Sequence, residues 1–228
     1  MNNTPLLTVR NLEKRFVKGK TSFHILKGIS IEVKKNETIG LVGVSGAGKT
    51  TLLQIIGTLD RPTKGDVIFD GLDVFSLQRV ELANFRRQNI GFIFQSYNLL
   101  PEFNAVENVM LPLMVDGQPK EDAFHRASHL LERVGLKERL SHRVGELSGG
   151  EQQRVAISRA ISLDPNLILA DEPTGNLDKK TGENVIALLR DVVSQEGSTL
   201  IMVTHNEQLI AQFDRRFLID DGKVMEER

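Results

Sequence analysis

The sequence predicts an α/β protein. Its mostly parallel core surrounds a phosphate-binding loop, an antiparallel β subdomain lies toward the N-terminus, and a helical subdomain is inserted in the core. Three observations carry this. The apolar run TIGLV at 38–42 leads into GVSGAGKT at 43–50, and TLLQII follows; strand, glycine-rich loop and helix in that order are what a phosphate loop requires. Continuous apolar runs at 167–170 and 199–203 read as strands covered on both faces, with helix-period stretches around them, the alternation of a parallel core. The opening third is strand-rich, and the stretch from about 96 to 160 is mainly helical.

The elements follow in order. Runs at 6–10 and 29–33 lie between turn signals and read as strands. VIF at 67–69 followed by Asp70 and Gly71 reads as a hairpin, because Asp-Gly suits a type I′ turn; Asp221 and Gly222 repeat the signal between 217–219 and 223–225. IGFIF at 90–94 is a short apolar strand. Phe124, Ala127, Leu131 and Val134 fall on one helical face, with Gly135 just beyond its end. Val185, Leu188, Leu189 and Val192 make another face, ended near Gly197. A further helix opens at LSGGE (147–151), pairs Ala156 with Ala160 and Ile157 with Ile161, and stops before Asp164 and Pro165.

Bulk properties narrow the function. A chain of 228 residues is one generous domain and can bury a large core. Lys and Arg number 29 against 30 Asp and Glu, a net charge of −1, so no nucleic-acid partner is expected. The pairs Lys34/Lys35 and Arg86/Arg87 are too small to change that. Absence of cysteine removes disulfides and thiolate metal sites. The N-terminus has neither a basic region nor an apolar core, so no secretory leader is expected. No apolar run reaches the roughly 20 residues that span a bilayer; at a membrane, another chain would have to cross it.

The phosphate loop names the candidate nucleotide-binding residues Gly43, Val44, Ser45, Gly46, Ala47, Gly48, Lys49, Thr50 and Thr51. Its glycines let successive backbone N–H groups curl around the β- and γ-phosphates of ATP; Lys49 adds a point charge and the Thr50 hydroxyl can ligate Mg²⁺. The dipole of the following helix points at the same anion. Ser148, Gly149 and Gly150 form a second helix N-terminus, expected to be bare and suited to a phosphate. One γ-phosphate has no use for two distant cradles in one lobe. The economical arrangement is a homodimer formed on ATP binding, two copies head to tail, each LSGGE covering the other's ATP.

These motifs together resemble the ATPase subunit of an ABC transporter, and the resemblance covers essentially the whole chain. It implies a P-loop NTPase (RecA-like) core in a single ABC ATPase domain over 1–228. The catalytic core with its β subdomain would take 1–95 and 161–228, and the helical subdomain with the signature 96–160. LILADE at 167–172 is an apolar strand ending in two carboxylates. Alone that could be a surface turn; matched to the Walker B motif, it gives Asp171 a role in holding Mg²⁺ and Glu172 that of polarising the attacking water. Gln95 ends its strand where the family keeps its Q-loop, which implies contact with Mg²⁺ or the water; by itself it is an ordinary strand-end Gln. His205 follows the run at 199–204 and by analogy contacts the γ-phosphate, although a lone His is more often structural. GNLD at 175–178 matches the D-loop and places Asp178 at the dimer seam. Phe16 stands where the family has a base-stacking aromatic, often Tyr; the alternative is a core or hairpin Phe. His125 and His129 are spaced like a metal pair but lack a third ligand, and read as solvated helix face.

Two classes compete: a membrane-complex motor, and a soluble ABC ATPase acting on DNA or ribosomes. Between Thr50 and Ser148 there is no room for a long coiled coil, and the motifs occur once, which excludes the tandem translation factors. A plain P-loop kinase or GTPase has no reason to carry LSGGE. The finer resemblance, through GTLDRPT at 57–63, NLLP at 98–101, AVENV at 105–109 and DEPTGNLD at 171–178, is to the LolD/MacB/FtsE group, most of all its lipoprotein-releasing, LolD-like branch. This implies FtsX-like (LolC/LolE-type) integral membrane subunits as partners and a place at the cytoplasmic face of the bacterial inner membrane. MacB-like efflux or an FtsE-like regulatory role is the alternative. The departures are Thr50 for Ser, Phe16 for Tyr and Glu151 for Gln. Finally, the apolar stretch 97–114, with Tyr97, Leu99, Leu100, Phe103, Val106, Val109, Met110 and Met114, is expected to dock a membrane partner, the alternative being that most of these side chains pack the helical insert; Pro101 and Pro112 argue against one continuous helix buried in the core.

Overall fold

The computed structural model describes residues 5–19 and 21–227; most of the N-terminal stretch that shows no leader pattern, 1–4, lies outside them. The elements are β1 (Leu7–Lys18), β2 (Thr21–Val33), β3 (Thr38–Val42), α1 (Lys49–Ile56), β4 (Lys64–Phe69), β5 (Leu72–Asp73), α2 (Arg79–Asn89), β6 (Ile90–Phe94), α3 (Ala105–Val115), α4 (Lys120–Arg133), α5 (Gly149–Ala160), β7 (Leu167–Asp171), α6 (Lys179–Glu196), β8 (Thr199–Val203), α7 (Glu207–Ile210), β9 (Arg215–Asp220) and β10 (Lys223–Glu227). They group into two compact units, Met1–Arg86 with Thr199–Arg228, and Arg87–Ser198.

In the first unit an antiparallel sheet runs β2-β1-β4-β5. Leu7 and Val9 alternate inward and are buried, and a register shift between Val9 and Leu12, with Asn11 at φ 46°, lets Leu12 point inward as well. Such a shift re-aims a side chain without ending the strand. Both strands outrun the short apolar stretches that signal them: β1 continues to Lys18 through residues that are mostly exposed, carried there by pairing with β2 alone. In the same unit β10, β9, β3 and β8 are neighbours in that order. β3 pairs parallel with β8 and β9, and Ile39, Leu41 and Val42 are buried. Asp70 and Gly71 have φ 47° and 84°, Asp221 and Gly222 φ 42° and 74°. Both central residues are left-handed in each hairpin, as a type I′ turn demands.

In the second unit β6 and β7 pair parallel, and α3, α4 and α5 pack on one another. Ala127, Leu131 and Val134 lie buried as their period predicts, and Gly135 at φ 75° ends α4. Phe124 is a correction: it is exposed, and Ala123, Leu130 and Leu131 complete the face. On α6, Leu188 is only half-buried and Ile186 supplies the packing. Residues 97–104 form no helix, so 97–114 is not one continuous helix, as expected; the correction is at Pro112, through which α3 continues. Its first turn is secured by a capping box, Asn104 accepting from the Glu107 N–H at 2.9 Å and Glu107 accepting from the Asn104 N–H at 3.0 Å. Burial of Val106, Val109, Met110 and Leu113 holds the rest, each such side chain contributing about 1.5–3 kcal/mol. These packed residues leave the expected docking stretch with a smaller exposed set: Leu100, Phe103 and Met114.

Candidate functional site

In the first unit the loop after β3 turns on three glycines, Gly43, Gly46 and Gly48, at φ 151°, 82° and 103°. Two of them also sit against neighbours. A Cβ on Gly43 would run into the Ile219 carbonyl, and one on Gly48 would stand 2.8 Å from Leu26 Cδ2. Gly48 is the N-cap of α1, no side chain caps that terminus, and no acidic residue occupies its first turn. The leading N–H groups of a helix have no intrahelical partner, so α1 presents an uncapped, partly positive end. Lys49 is buried at 8% exposure and its Nζ donates to the carbonyls of Gly43 at 2.7 Å and Val44 at 3.0 Å. An ammonium has three N–H donors; two hold the loop and the third suits an anion. Val44, Ser45, Gly46 and Thr50 are exposed, Thr51 is half-buried, and Ala47 is buried with its N–H on the Val44 carbonyl at 3.2 Å.

His205 reaches the same edge of this unit. Leu41 and Val203 are register partners in a parallel pair, so the loop and the exposed His205 both leave the C-terminal ends of their strands, where ligands of α/β sheets gather. The Thr204 N–H donates to Leu41 O at 3.1 Å, and Thr204 Oγ1 accepts from the Asn206 N–H at 3.1 Å, which fixes the backbone on both sides of His205. Phe16 lies on the outer half of the β1–β2 hairpin, opposite Phe23 in register. It is 43% exposed, with Lys14 Nζ 4.8 Å from its ring centroid. That argues against a core Phe and leaves a face open.

The second unit assembles the remaining candidates. Phe94 and Asp171 are register partners, so Gln95 and Glu172 leave neighbouring strand ends. Asp171 and Glu172 are half-buried, and Glu172 takes a left-handed φ of 48°, rare outside glycine. The exposed Gln95 exchanges hydrogen bonds with Asn176: Asn176 Nδ2 donates to Gln95 O at 2.9 Å and Gln95 Nε2 to Asn176 Oδ1 at 3.4 Å. Gly175 leaves room for this exchange, since a Cβ there would lie 2.6 Å from Gln95 Nε2 and the amide would have to shift. Asp178 N-caps α6 by accepting from the Thr181 N–H at 3.1 Å. The hydroxyl and backbone N–H of Thr181 hold its carboxyl below the usual range.

The start of α5 corrects an expectation. It is not bare: Ser148 is the N-cap of a closed capping box. Glu151 Oε2 accepts from both the Ser148 N–H and its hydroxyl at 2.8 Å, while Arg139 Nε donates to Glu151 Oε1 at 2.9 Å. Hydrogen bonds from the Ser148 backbone, its hydroxyl and Arg139 together lower the Glu151 carboxyl to about 2. A Glu at this position satisfies the helix end with the protein's own anion, which the sequence showed only as a departure from Gln. A Cβ on Gly150 would sit 2.7 Å from Thr181 Cγ2, and one on Gly149 3.0 Å from the Tyr97 hydroxyl and 3.2 Å from Leu177 Cδ2. Arg159, whose Nη1 donates to Asn98 O at 2.7 Å and Nη2 to Tyr97 O at 2.8 Å, joins Tyr97, Asn176 and Arg139 in the scaffold of the site. The sequence named Tyr97 only for docking and Asn176 only within the D-loop match, and it named neither arginine; Arg159 does carry a signal, as a charge within the small and apolar run at 155–161.

The sequence model described as ABC transporter matches residues 26–175. Among curated relatives, a lipoprotein-releasing system ATP-binding protein LolD from Geobacter metallireducens is 54% identical over 220 residues, covering 96% of this chain and 98% of that protein. The LolD of Myxococcus xanthus is 50% identical, covering 97% and 99%. Among solved structures, the dimeric post-hydrolysis state of the ATP-binding cassette MJ0796 bound to ADP and Pi superposes with a TM-score of 0.89 at 39% identity, covering 97% of this chain and 98% of that one. The chain belongs to the ABC transporter family, as an ATP-binding and ATP-hydrolysing subunit with the fold of such cassettes.

Proposed function

We propose that this chain is the ATPase of a bacterial complex that releases lipoproteins from the inner membrane. It acts as a head-to-tail homodimer beneath FtsX-like, LolC/LolE-type membrane subunits, at the cytoplasmic face. The observation that carries this reading is likeness over nearly the full length of both partners, at 47–54% identity, to proteins named for lipoprotein release. No helix among the described residues is long and apolar enough to cross a membrane; in this reading the FtsX-like subunits make the crossing. The helices between 96 and 160 act as a helical subdomain of one ABC ATPase domain whose core is 1–95 and 161–228.

The uncapped end of α1, Lys49 and the loop 43–51 hold the β- and γ-phosphates, and the open face of Phe16 stacks on the adenine. Glu172 accepts a proton from water as the water oxygen attacks the γ-phosphorus and the β–γ bridging oxygen leaves with ADP; a positioned base of this kind contributes about 10²–10⁴ in rate. His205 and Gln95 fix the γ-phosphate and the water. Thr50, Asp171 and Gln95 offer the oxygen donors that a hard cation prefers and would hold Mg²⁺, whose charge offsets that of the phosphates. Ser148, Gly149, Gly150 and Asp178 close the site from the second copy; with Ser148 already bonded to Glu151, the N–H groups of Gly149 and Gly150 are the donors best placed to meet the phosphate.

The test is reconstitution of the chain with LolC/LolE-type subunits in lipoprotein-loaded proteoliposomes. ATP should drive lipoprotein into the soluble fraction, and the Glu172→Gln chain should not. A complex that assembles and hydrolyses ATP but releases no lipoprotein refutes the assignment.

A further inference from the structure

Arg159, in the last turn of α5, sends its guanidinium to the loop after β6: Nη1 donates to Asn98 O at 2.7 Å and Nη2 to Tyr97 O at 2.8 Å. Both accepting residues are left-handed, Tyr97 at φ 55° and Asn98 at φ 49°, a conformation that side-chain-bearing residues rarely adopt. The side chain is half-buried, and its partial withdrawal from water lowers its pKa. No carboxylate is paired with Arg159 among the described residues; its charge rests on carbonyl dipoles, including those of the two strained peptides. Withdrawing a charge even partly from water without a counter-ion has a cost, and a neutral side chain would have served packing alone.

The same loop touches the other end of the helix. The Tyr97 hydroxyl lies 3.0 Å from the position of a Cβ on Gly149, and Leu177 Cδ2 lies 3.2 Å from it. Two residues before Tyr97, Gln95 is bonded to Asn176, the neighbour of Leu177. The contacts form a closed ring through Gln95, Tyr97, Gly149, Leu177 and Asn176, braced by Arg159.

We propose that Arg159 is a positioning residue of the ATPase reaction, coupling the two ATP sites of the dimer by locking the Gln95 loop to the signature helix. This rests on the head-to-tail reading, in which Gln95 serves the ATP of its own chain and Gly149 that of the partner. A shift of the loop on nucleotide binding then moves the signature that the partner's nucleotide needs.

The experiment is steady-state hydrolysis by the full chain against ATP concentration, with melting temperature measured alongside. Wild type should be cooperative, with a Hill coefficient approaching about 2 for two coupled sites. Arg159→Met, which keeps an unbranched side chain of similar length and removes both donors, should fall to about 1, with kcat reduced roughly tenfold to a hundredfold by the displaced loop and KM nearly unchanged. Asn176→Ala cuts the ring on an exposed side chain and should also lose cooperativity, which keeps the test decisive if the arginine variant does not fold. A purely structural arginine would lower the melting temperature and leave the Hill coefficient of the surviving enzyme intact, and that result overturns the proposal. A non-cooperative wild type overturns the head-to-tail reading and this proposal together. A cooperative wild type with equally cooperative variants overturns this proposal alone.

Discussion

The Lys49 ammonium stands 2.7 Å from the carbonyl oxygen of Gly43, so the first side chain of α1 closes the loop that leads into it. Removing the charge should separate binding from folding. For Lys49→Met, losing a charged hydrogen bond of about 1.5–3 kcal/mol predicts ATP affinity roughly 10- to 150-fold weaker. The buried aliphatic replacement should keep the melting temperature within a few degrees, about what a change below 1 kcal/mol produces. Fluorescent-nucleotide titration and thermal unfolding check both halves.

Glu172→Gln keeps shape and hydrogen bonding but removes the basic lone pair. Hydrolysis should drop by at least ~10² while ATP still binds, and the trapped nucleotide should hold a dimer on size exclusion. Wild-type turnover in this variant would show that another group is the base.

Mixing a Lys49→Ala chain with a Ser148→Arg chain concentrates both lesions in one site of a head-to-tail dimer and leaves the other intact. The mixture should recover ATP binding, and up to about half of the wild-type hydrolysis if one site can fire alone. Each homodimer should be inactive. Normal hydrolysis by Ser148→Arg homodimers would contradict the shared site.

Glu151 gives a pH signature. Its carboxyl is lowered to about 2 in the folded chain, against about 4.3 for an unperturbed Glu, so the folded state favours the ionised form. The resulting stabilisation is complete above the unfolded value and disappears as pH falls through the folded one. Thermal unfolding of wild type and Glu151→Gln should therefore differ most near neutral pH. The gap should narrow below about pH 4.3 and close near pH 2, where the protonated acid resembles the amide. A gap independent of pH would mean that the charge is not what holds Ser148.

Phe103 and Val109 separate docking from packing within the stretch 97–114. Phe103 is 37% exposed and Val109 is fully buried. Phe103→Asp should unfold normally and retain basal ATPase but fail to co-purify with the membrane subunits. Val109→Asp should melt far lower, because an unpaired buried carboxylate is costly. Retained partner binding by Phe103→Asp removes it from the docking surface.

The sequence made the loop 43–51, the strands ending at Val42, Asp171 and Val203, and the two Asp-Gly hairpins legible because each depends on local chemistry: glycine torsions, continuous apolar runs, turn propensity. What it left out depends on pairing across distance. The last four residues of β1, Arg15–Lys18, are exposed, and among the strands only β2 pairs with them. Helix α2 buries just Leu82, too little for a helical period to stand out. Pro112 looked like a break, yet residues of three packed turns hold α3 together around it. The bare end expected at Ser148 failed for a related reason: Glu151 is visible in the sequence, but the Arg139 that steadies it is twelve residues upstream, at the end of a single 3₁₀ turn, Lys137–Arg139.

Asn108 carries one more consequence. Buried at 1% exposure, its amide accepts from the Leu100 N–H at 2.8 Å and donates to the carbonyls of Leu100 at 3.1 Å, Phe103 at 3.4 Å and Asn104 at 3.0 Å. A single side chain thereby freezes a segment that has no helix or strand of its own. If the docking expected at Leu100 and Phe103 holds, the partner meets a segment that is already ordered, and little conformational freedom is lost on association. The motor could then press on a membrane subunit through many cycles without this face having to be ordered anew each time.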